Sequence, residues 1–411
     1  MSDASDNDLG DLARLFLKLG MIGFGGPAAH IAMMEDEVVE RRGWLTHQRF
    51  LDMVGATNLI PGPNSTEMAI HIGWARGGLA GLTIAGSAFI LPAVAITTAL
   101  AWLYVRYGTL PQADPILYGI RPVVVAIVFG ALWKLSRKAL RRGMLVIIAV
   151  AVAAAALFGA NEVLALLAGG VIAVLLIPPG SRGRPVASVS PDDGNGAGAS
   201  HTPVNGGDSG PIAGAALWTT GKLAPTLAPL GAAAQVAGVS LAQLFVYFLT
   251  IGSVLYGSGY VLFAFLEGGL VRDYGWLTQQ QLIDAVAIGQ FTPGPVLSTA
   301  TFVGYVVAGP AGAVVATLGI FLPSFLFVSL LARILPRLGA SPTFRAFLDG
   351  VNASAVALMT VVTLRLAIAA FVDWQTVLLG VAAAAAAVWW RVNAAALVLA
   401  GAAIGWLLGW I

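Results

Sequence analysis

Apolar residues do not alternate with polar ones along this chain; they run together. Leu145 to Leu157, Val163 to Ile177 and Ala394 to Ile411 hold almost nothing polar, and such runs approach the ~20 residues a helix needs to cross hydrocarbon. The pattern predicts long helices over 78–105, 115–135, 143–158 and 162–177, and again over 309–332, 343–370, 374–390 and 394–411. Two further apolar segments, 9–26 and 244–266, each precede one of these sets. Four segments are too short. Residues 46–60, 64–76, 278–290 and 295–308 would each rise about 20 Å as helices, short of a ~30 Å core. Pro61-Gly62-Pro63 separates the first pair and Pro293-Gly294-Pro295 the second. A re-entrant helix pair and an irregular break in one long segment both fit; the re-entrant pair is favoured, because backbone at that depth needs cover from protein or a water-filled cavity.

The polar stretches divide what remains. Residues 30–42 carry Glu35, Asp36, Glu37, Glu40, Arg41 and Arg42 beside Met33 and Met34, which suits a helix lying at the membrane interface. Arg14 and Lys18, four apart on the first segment, read as snorkelling side chains. Residues 181–211 are rich in Gly, Pro, Ser and Asp and read as a disordered linker. Lys222, Pro225 and Pro229 make 212–236 an interfacial piece rather than a span. The expected organisation is an N-terminal repeat over 1–180, a linker over 181–236 and a C-terminal repeat over 237–411.

The chain is 58% hydrophobic and only 10% charged, against ~25% charged in a soluble domain. It is expected to be an all-α polytopic membrane protein in the lipid bilayer. A net charge of +2 argues against a nucleic-acid partner, and the lack of Cys excludes disulfides, thiolate metal sites and cysteine nucleophiles. Asp3, Asp6, Asp8 and Asp11, without a basic stretch, do not read as a cleaved signal peptide. The four His (30, 47, 71 and 201) show no metal-ligand spacing on one helix, and Thr219-Thr220-Gly221-Lys222-Leu223 is not a phosphate-binding loop. No metal, no cofactor and no enzymatic activity are expected, and an ATP-driven pump is disfavoured.

The two halves repeat one another. Gly43-Trp44-Leu45-Thr46, Asp52 and Pro61-Gly62-Pro63 recur as Gly275-Trp276-Leu277-Thr278, Asp284 and Pro293-Gly294-Pro295, every pair 232 positions apart. Phe24-Gly25 meets Tyr256-Gly257 at the same offset; after one deleted residue the match continues at 231, with Gly73 on Gly304, Pro92 on Pro323 and Gly119 on Gly350. Each half has five spans and one re-entrant pair. That makes about 10 transmembrane helices and two re-entrant Pro-Gly-Pro pairs, and the odd number per half puts the two homologous halves in inverted topology, a recurring architecture of secondary transporters. Arg41, Arg42, Arg49, Lys134, Arg137, Lys138, Arg141, Arg142, Arg182, Arg184, Arg333, Arg337, Arg345 and Arg391 fall on one side of this arrangement, Arg106 and Arg272 on the other. The positive-inside rule makes the richer side cytoplasmic.

The repeated break carries the candidate chemistry. Pro61 ends the helix before it, Gly62 permits close approach, and Pro63 suits the start of the next helix. Amides around Asn64, Ser65 and Thr66 then face the break, as at other anion-binding helix N-termini. Two such ends, one from each half, would hold a small dianion. Asn58 and Gln290 precede the breaks by three residues and, with the hydroxyls of Ser65, Thr292 and Ser298, supply donors. Gly25, Gly26 and Gly257 would let a third backbone segment approach, although tight helix packing explains them as well. A plain kink for helix packing is the competing account of the breaks. Among ionisable residues in apolar spans, Arg121 is a candidate cation for the dianion, unless it sits at the membrane surface. Glu67 and His71, four apart on one face, are candidates for a coupled proton.

Phe24-Gly25-Gly26-Pro27 with Ala29-His30, Gly43-Trp44, Asn58 to Pro63, Gly257-Ser258-Gly259-Tyr260 and Gln290 to Pro295 resemble the chromate transporter family in its long, two-half form. The resemblance covers 15 to about 135 and 244 to about 365. It implies efflux of chromate from the bacterial cytoplasm across the inner (cytoplasmic) membrane, conferring resistance, with sulfate as a similar oxyanion. Asn58 stands where the family commonly has Gln. A sulfate or general oxyanion carrier is the alternative within transport; a non-transporting membrane sensor or scaffold is the alternative outside it. A homodimer is one option for assembly.

Overall fold

The computed structural model describes residues 6–108, 113–177, 239–257, 259–331, 341–390 and 392–408; the linker expected over 181–236 lies outside them. Among the described residues are fourteen α-helices. The N-terminal half contributes α1 (Asp6–Ile22), α2 (Pro27–Glu35, running on as a π-helical turn Asp36–Arg41), α3 (His47–Thr57), α4 (Asn64–Tyr107), α5 (Asp114–Ala139), α6 (Gly143–Leu157) and α7 (Glu162–Leu176). The C-terminal half contributes α8 (Leu241–Val254), α9 (Leu262–Phe265, continued by a π-helical stretch Leu266–Asp273), α10 (Gln279–Phe291), α11 (Thr299–Leu331), α12 (Pro342–Ala370), α13 (Trp374–Val388) and α14 (Ala394–Leu408).

The short segments form helices that fold back on the longer ones. Helix α4 is two helices, broken where Gly77 and Gly78 leave helical geometry, and α11 breaks likewise at Ala308 and Gly309. Gly78 (φ +55°) and Gly309 (φ +64°) occupy the left-handed region that glycine enters without strain. At each break the chain folds back on itself. Gly73 lies against the Gly81 carbonyl and Gly304 against that of Gly312, distances no straight helix allows across eight residues. In the second half Thr301 and Thr317 add a hydroxyl–hydroxyl hydrogen bond of 2.7 Å between the arms.

One expected span is interrupted. Over 244–266 the sequence predicts a single helix, but α8 stops at Val254 and the chain turns through Gly257 at φ +93°. This is the same interruption that follows α1 at Gly23 to Gly26. The turn after each π-helical stretch also repeats: Trp44 and Leu45 donate to the Val38 carbonyl (2.8 and 3.3 Å), Trp276 and Leu277 to that of Leu270 (2.8 and 3.1 Å).

Glycines set the long-range packing, as in membrane bundles, where small residues let backbones approach. Gly20 of α1 meets the Phe89 carbonyl of α4, and Gly252 of α8 meets that of Ile320 on α11. Gly119 of α5 rests on Gly401 and Gly405 of α14, while Gly350 of α12 rests on Gly169 and Gly170 of α7. The halves therefore exchange their last hairpins: α6 and α7 pack on α12, and α13 and α14 pack on α5. Helices α4 and α11, and α5 and α12, meet their own counterparts between the halves.

Polar side chains finish the helix ends. Thr278 and Gln281 form a capping box at α10, as do Asp373 and Thr376 at α13. Asn161 accepts from the first amides of α7 at 3.0 and 3.2 Å. Lys18 does not simply extend to solvent: its ammonium reaches Glu37 at 2.7 Å. That hydrogen bond, opposed by burial and reinforced by Arg42 and Arg41, holds the Glu37 carboxyl below the usual carboxylate range.

Among the described residues, four helices are long and apolar enough to cross a membrane: α4, α5, α12 and α11 with the turn before it. Five shorter apolar helices, α6, α7, α8, α13 and α14, accompany them, each 14 or 15 residues long. Their outer faces are apolar: Ile147, Val150, Leu175, Leu378 and Val381 are each more than 60% exposed, a surface that belongs in lipid. Trp374 and the Trp389-Trp390 pair sit at opposite ends of α13, also exposed, as in an interfacial aromatic belt.

Candidate functional site

The two Pro-Gly-Pro breaks are tied to the opposite half. The Gly62 amide donates to the Leu255 carbonyl at 2.7 Å, and the Gly294 amide donates to the Gly23 carbonyl at 2.7 Å. Leu255 and Gly23 are themselves 232 positions apart, so the two bonds are copies of each other. Each joins the tip of one re-entrant pair to the unwound end of the other half's first helix. His30 donates through Nε2 to the same Gly23 carbonyl at 2.9 Å, which fixes its tautomer, because a carbonyl only accepts.

Around these ties lies a set of buried polar atoms without partners: Thr66 Oγ1, both carboxyl oxygens of Glu67, His71 Nε2, Ser324 Oγ, Gln290 Nε2 and Ser298 Oγ. Native proteins leave few such groups, and each needs an explanation. Thr66, Glu67, Ser298 and Ser324 are fully buried, and Ser65, His71, Gln290 and Thr292 nearly so. On the first break, a Cβ added to Gly62 (φ +138°) would collide with Glu67 Oε1 and come within 2.7 Å of Ser324 Oγ. The glycine thus makes room for these two groups. On the second, a Cβ on Gly294 (φ +92°) would lie 2.9 Å from Ala93 Cβ.

The expected donors separate into two groups. Gln290 is at the break: its Oε1 accepts from Tyr260 at 3.2 Å, and Gly26 (φ +80°) faces the same tyrosine hydroxyl. Thr292 donates to the Ile288 carbonyl at 2.7 Å and meets Thr97 of α4 at 3.5 Å. Asn58, by contrast, is exposed; it donates to the Val54 carbonyl and accepts from Asn64, both at 2.7 Å, so these two amides brace the loop. Gly25 (φ +108°) and Gly257 are exposed turns, and Gly257 faces Asn352 Oδ1. The first-turn amides of α4 have no side-chain cap, as an N-terminus awaiting an anion requires.

The comparisons with known proteins fall on the same repeat. The chromate transporter family model matches residues 10–174 and 242–406, two regions offset by the same 232 positions. The chain belongs to the chromate transporter family. It is 32% identical to the chromate transport protein of Cupriavidus metallidurans, over 96% of this chain and 92% of that one. It is 31% identical to the probable chromate transport protein of Synechococcus elongatus (91% and 88%) and 31% identical to the chromate transport protein of Pseudomonas aeruginosa (86% and 79%). No solved structure matches. As a member of this family, with four helices among the described residues long and apolar enough to cross a membrane, the chain is a multi-pass membrane transporter.

In this transporter Arg121 does not stand free beside the breaks. Its guanidinium is held by Asp284 of α10 at 3.1 and 3.2 Å, and Tyr104 donates to the same carboxylate at 2.9 Å. The pairing explains why Asp284 is buried whereas its counterpart Asp52 is exposed on Gln48. Glu67 and His71, one helical turn apart, make no ion pair with each other and leave polar atoms unpartnered. Ser324 and Tyr256 went unnoticed as site residues. Ser324 follows Pro323 where Ala93 follows Pro92, so a position-by-position comparison of the halves contains the signal for it.

Proposed function

We propose that this transporter exports chromate from the bacterial cytoplasm across the inner membrane, conferring chromate resistance, and that the two Pro-Gly-Pro breaks hold the dianion. The observation that carries this is the reciprocal pair of bonds, Gly62 to Leu255 and Gly294 to Gly23, with unpartnered donors gathered about them. Ser65, Thr66, Ser298, Ser324 and Gln290 supply neutral hydroxyl and amide donors, and the α4 N-terminus adds its partial positive charge. The names of the relatives favour chromate as the cargo.

The halves insert in opposite directions in this proposal, with the richly basic loops cytoplasmic. Several contacts agree. Asp349 at the start of α12 is within electrostatic reach of Arg141 and Arg142, assigned to the same side. Arg272 pairs with Glu162 at 2.9 Å, and Tyr118 donates to Asp373 at 2.6 Å, both on the opposite side. The re-entrant pairs then enter from opposite faces, and each tip meets the unwound first helix of the other half in between, where secondary transporters place their sites.

An inside-negative potential suffices as the driving force. One charge moved across 100 mV is worth ~2.3 kcal/mol, so an outward-moving dianion gains about 4.6 kcal/mol, more than a thousandfold in concentration. In proteoliposomes, chromate flux should rise with the imposed potential; flux indifferent to it would exclude uniport. Hydroxyl and amide donors discriminate weakly between tetrahedral dianions, so sulfate should compete for the same site. A sulfate-insensitive chromate flux would restrict the site to chromate.

A further inference from the structure

The two halves differ at one place in the site. Counting back from the paired Gly73 and Gly304, Glu67 falls on Ser298, and beside the paired prolines Ser324 falls on Ala93. Gly62 therefore faces a carboxyl and a hydroxyl, whereas Gly294 faces the methyl group of Ala93 and the backbone of α1 and α4. Glu67 is fully buried and neither of its oxygens has a hydrogen-bond partner. The surrounding charges are engaged elsewhere. Lys18, Arg41 and Arg42 hold Glu37, His47 holds Glu35, Arg14 meets Asp11, and Arg121 meets Asp284. His30 is bonded to the Gly23 carbonyl. The titratable groups facing Glu67 are Tyr256, from the second half's break, and His71, one turn further on its own helix. Among the described residues no Lys or Arg pairs with it.

We infer that Glu67 is the proton-binding residue of the oxyanion site, and that each anion is bound together with one proton on this carboxyl. The inference rests on the reading of the breaks as the oxyanion site. An ionised Glu67 would be a buried charge without a partner and would repel a dianion at the α4 N-terminus. Once protonated, it becomes a donor and, with Ser324, presents two O–H groups beside Gly62. The second half, with Ser298 at the equivalent position, adds no titratable group, so the coupling is one proton per anion. A dianion accompanied by one proton moves a single net negative charge. A 100 mV potential then supports about a fiftyfold gradient instead of more than a thousandfold; an inside-acid pH difference adds to it and an inside-alkaline one subtracts from it.

The test is equilibrium binding of labelled chromate to the purified full chain, at pH values where free chromate is wholly the dianion. Above the pH at which Glu67 ionises in the empty site, wild-type affinity should fall by up to about tenfold per pH unit, with uptake of about one proton per chromate in weak buffer. Glu67→Gln, which mimics the neutral carboxyl, should bind with no pH dependence and no proton uptake; Glu67→Asp should retain both. A Glu67→Gln protein with the wild-type slope, or wild-type binding with neither a pH slope nor proton uptake at any pH where the protein stays folded, overturns the inference. If Glu67→Gln is not monodisperse, proton uptake by wild type and by Glu67→Asp still decides. Absence of chromate binding to wild type at every pH would instead remove the reading of the site itself.

Discussion

Gln290 and Asn58 occupy matching places in the repeat yet have different work. Gln290 is buried with its Nε2 unpartnered, whereas both ends of the exposed Asn58 amide are consumed by Val54 and Asn64. Gln290→Ala should weaken chromate binding by about 1.5–3 kcal/mol, ten- to a hundredfold, the usual cost of a hydrogen bond to a charged group. Asn58→Ala should loosen the loop and leave affinity closer to wild type. Binding isotherms on monodisperse protein separate the two, and equal losses would contradict the asymmetry. Gly62→Val tests the packing around the same site. Its side chain would strike Glu67 and Ser324 at a φ of +138°, so the expected outcome is loss of the monodisperse peak in size-exclusion chromatography, not a folded protein with an emptied site.

At the scale of elements, the helices stop where the backbone must turn or where a polar side chain takes over its amides. The cap on α13 is an exposed case. Asp373 accepts from the Thr376 amide at 2.9 Å and from Tyr118 at 2.6 Å. The Tyr118 hydrogen bond first, then the backbone amides, hold its carboxyl below the usual range. A depressed folded-state value means the stabilisation is present above the unfolded-state value, ~3.9, and is lost as pH falls through the folded one. Asp373→Ala should therefore lower the melting temperature in detergent at neutral pH, and the gap to wild type should narrow in acid below that value. A gap unchanged across that range would show that ionisation of the cap contributes nothing.

At the scale of the whole molecule the halves are interleaved rather than apposed, since each lends its last hairpin to the other's long helix. Residues 1–180 and 237–411, produced as separate chains in one membrane, should assemble and co-purify, because the Gly350–Gly169 and Gly119–Gly401 contacts cross between them. Either half alone should be degraded or aggregate, with those glycine-lined faces uncovered. Stable, separately purified halves that do not associate would argue against the exchange. The charge network crosses the same boundary, with Arg121 on Asp284 and Arg272 on Glu162. Breaking a buried pair by removing one partner is costly, about 3–5 kcal/mol, so these contacts fix how the halves sit.

Length and hydrophobicity alone set the helical class and the division into long and short apolar helices, because a bilayer admits few structures and each demands a run of known length. The duplicated Pro-Gly-Pro, read as backbone chemistry, located the breaks. Apolar pattern alone did not show that α8 ends at Val254: Phe245 to Leu249 before the turn and Val261 to Leu266 after it are both apolar, and the tie from Leu255 to Gly62 gives the freed carbonyl a partner. Arg121 was legible as a charge in a span but not as the partner of Asp284, 163 residues away. Glu67 was legible as a carboxyl on the helix after the break. Its isolation, the meeting with Ser324 and Tyr256, and the pairing of each break with the opposite half depend on contacts between distant segments. No sequence window contains those contacts, and tertiary packing alone decides them.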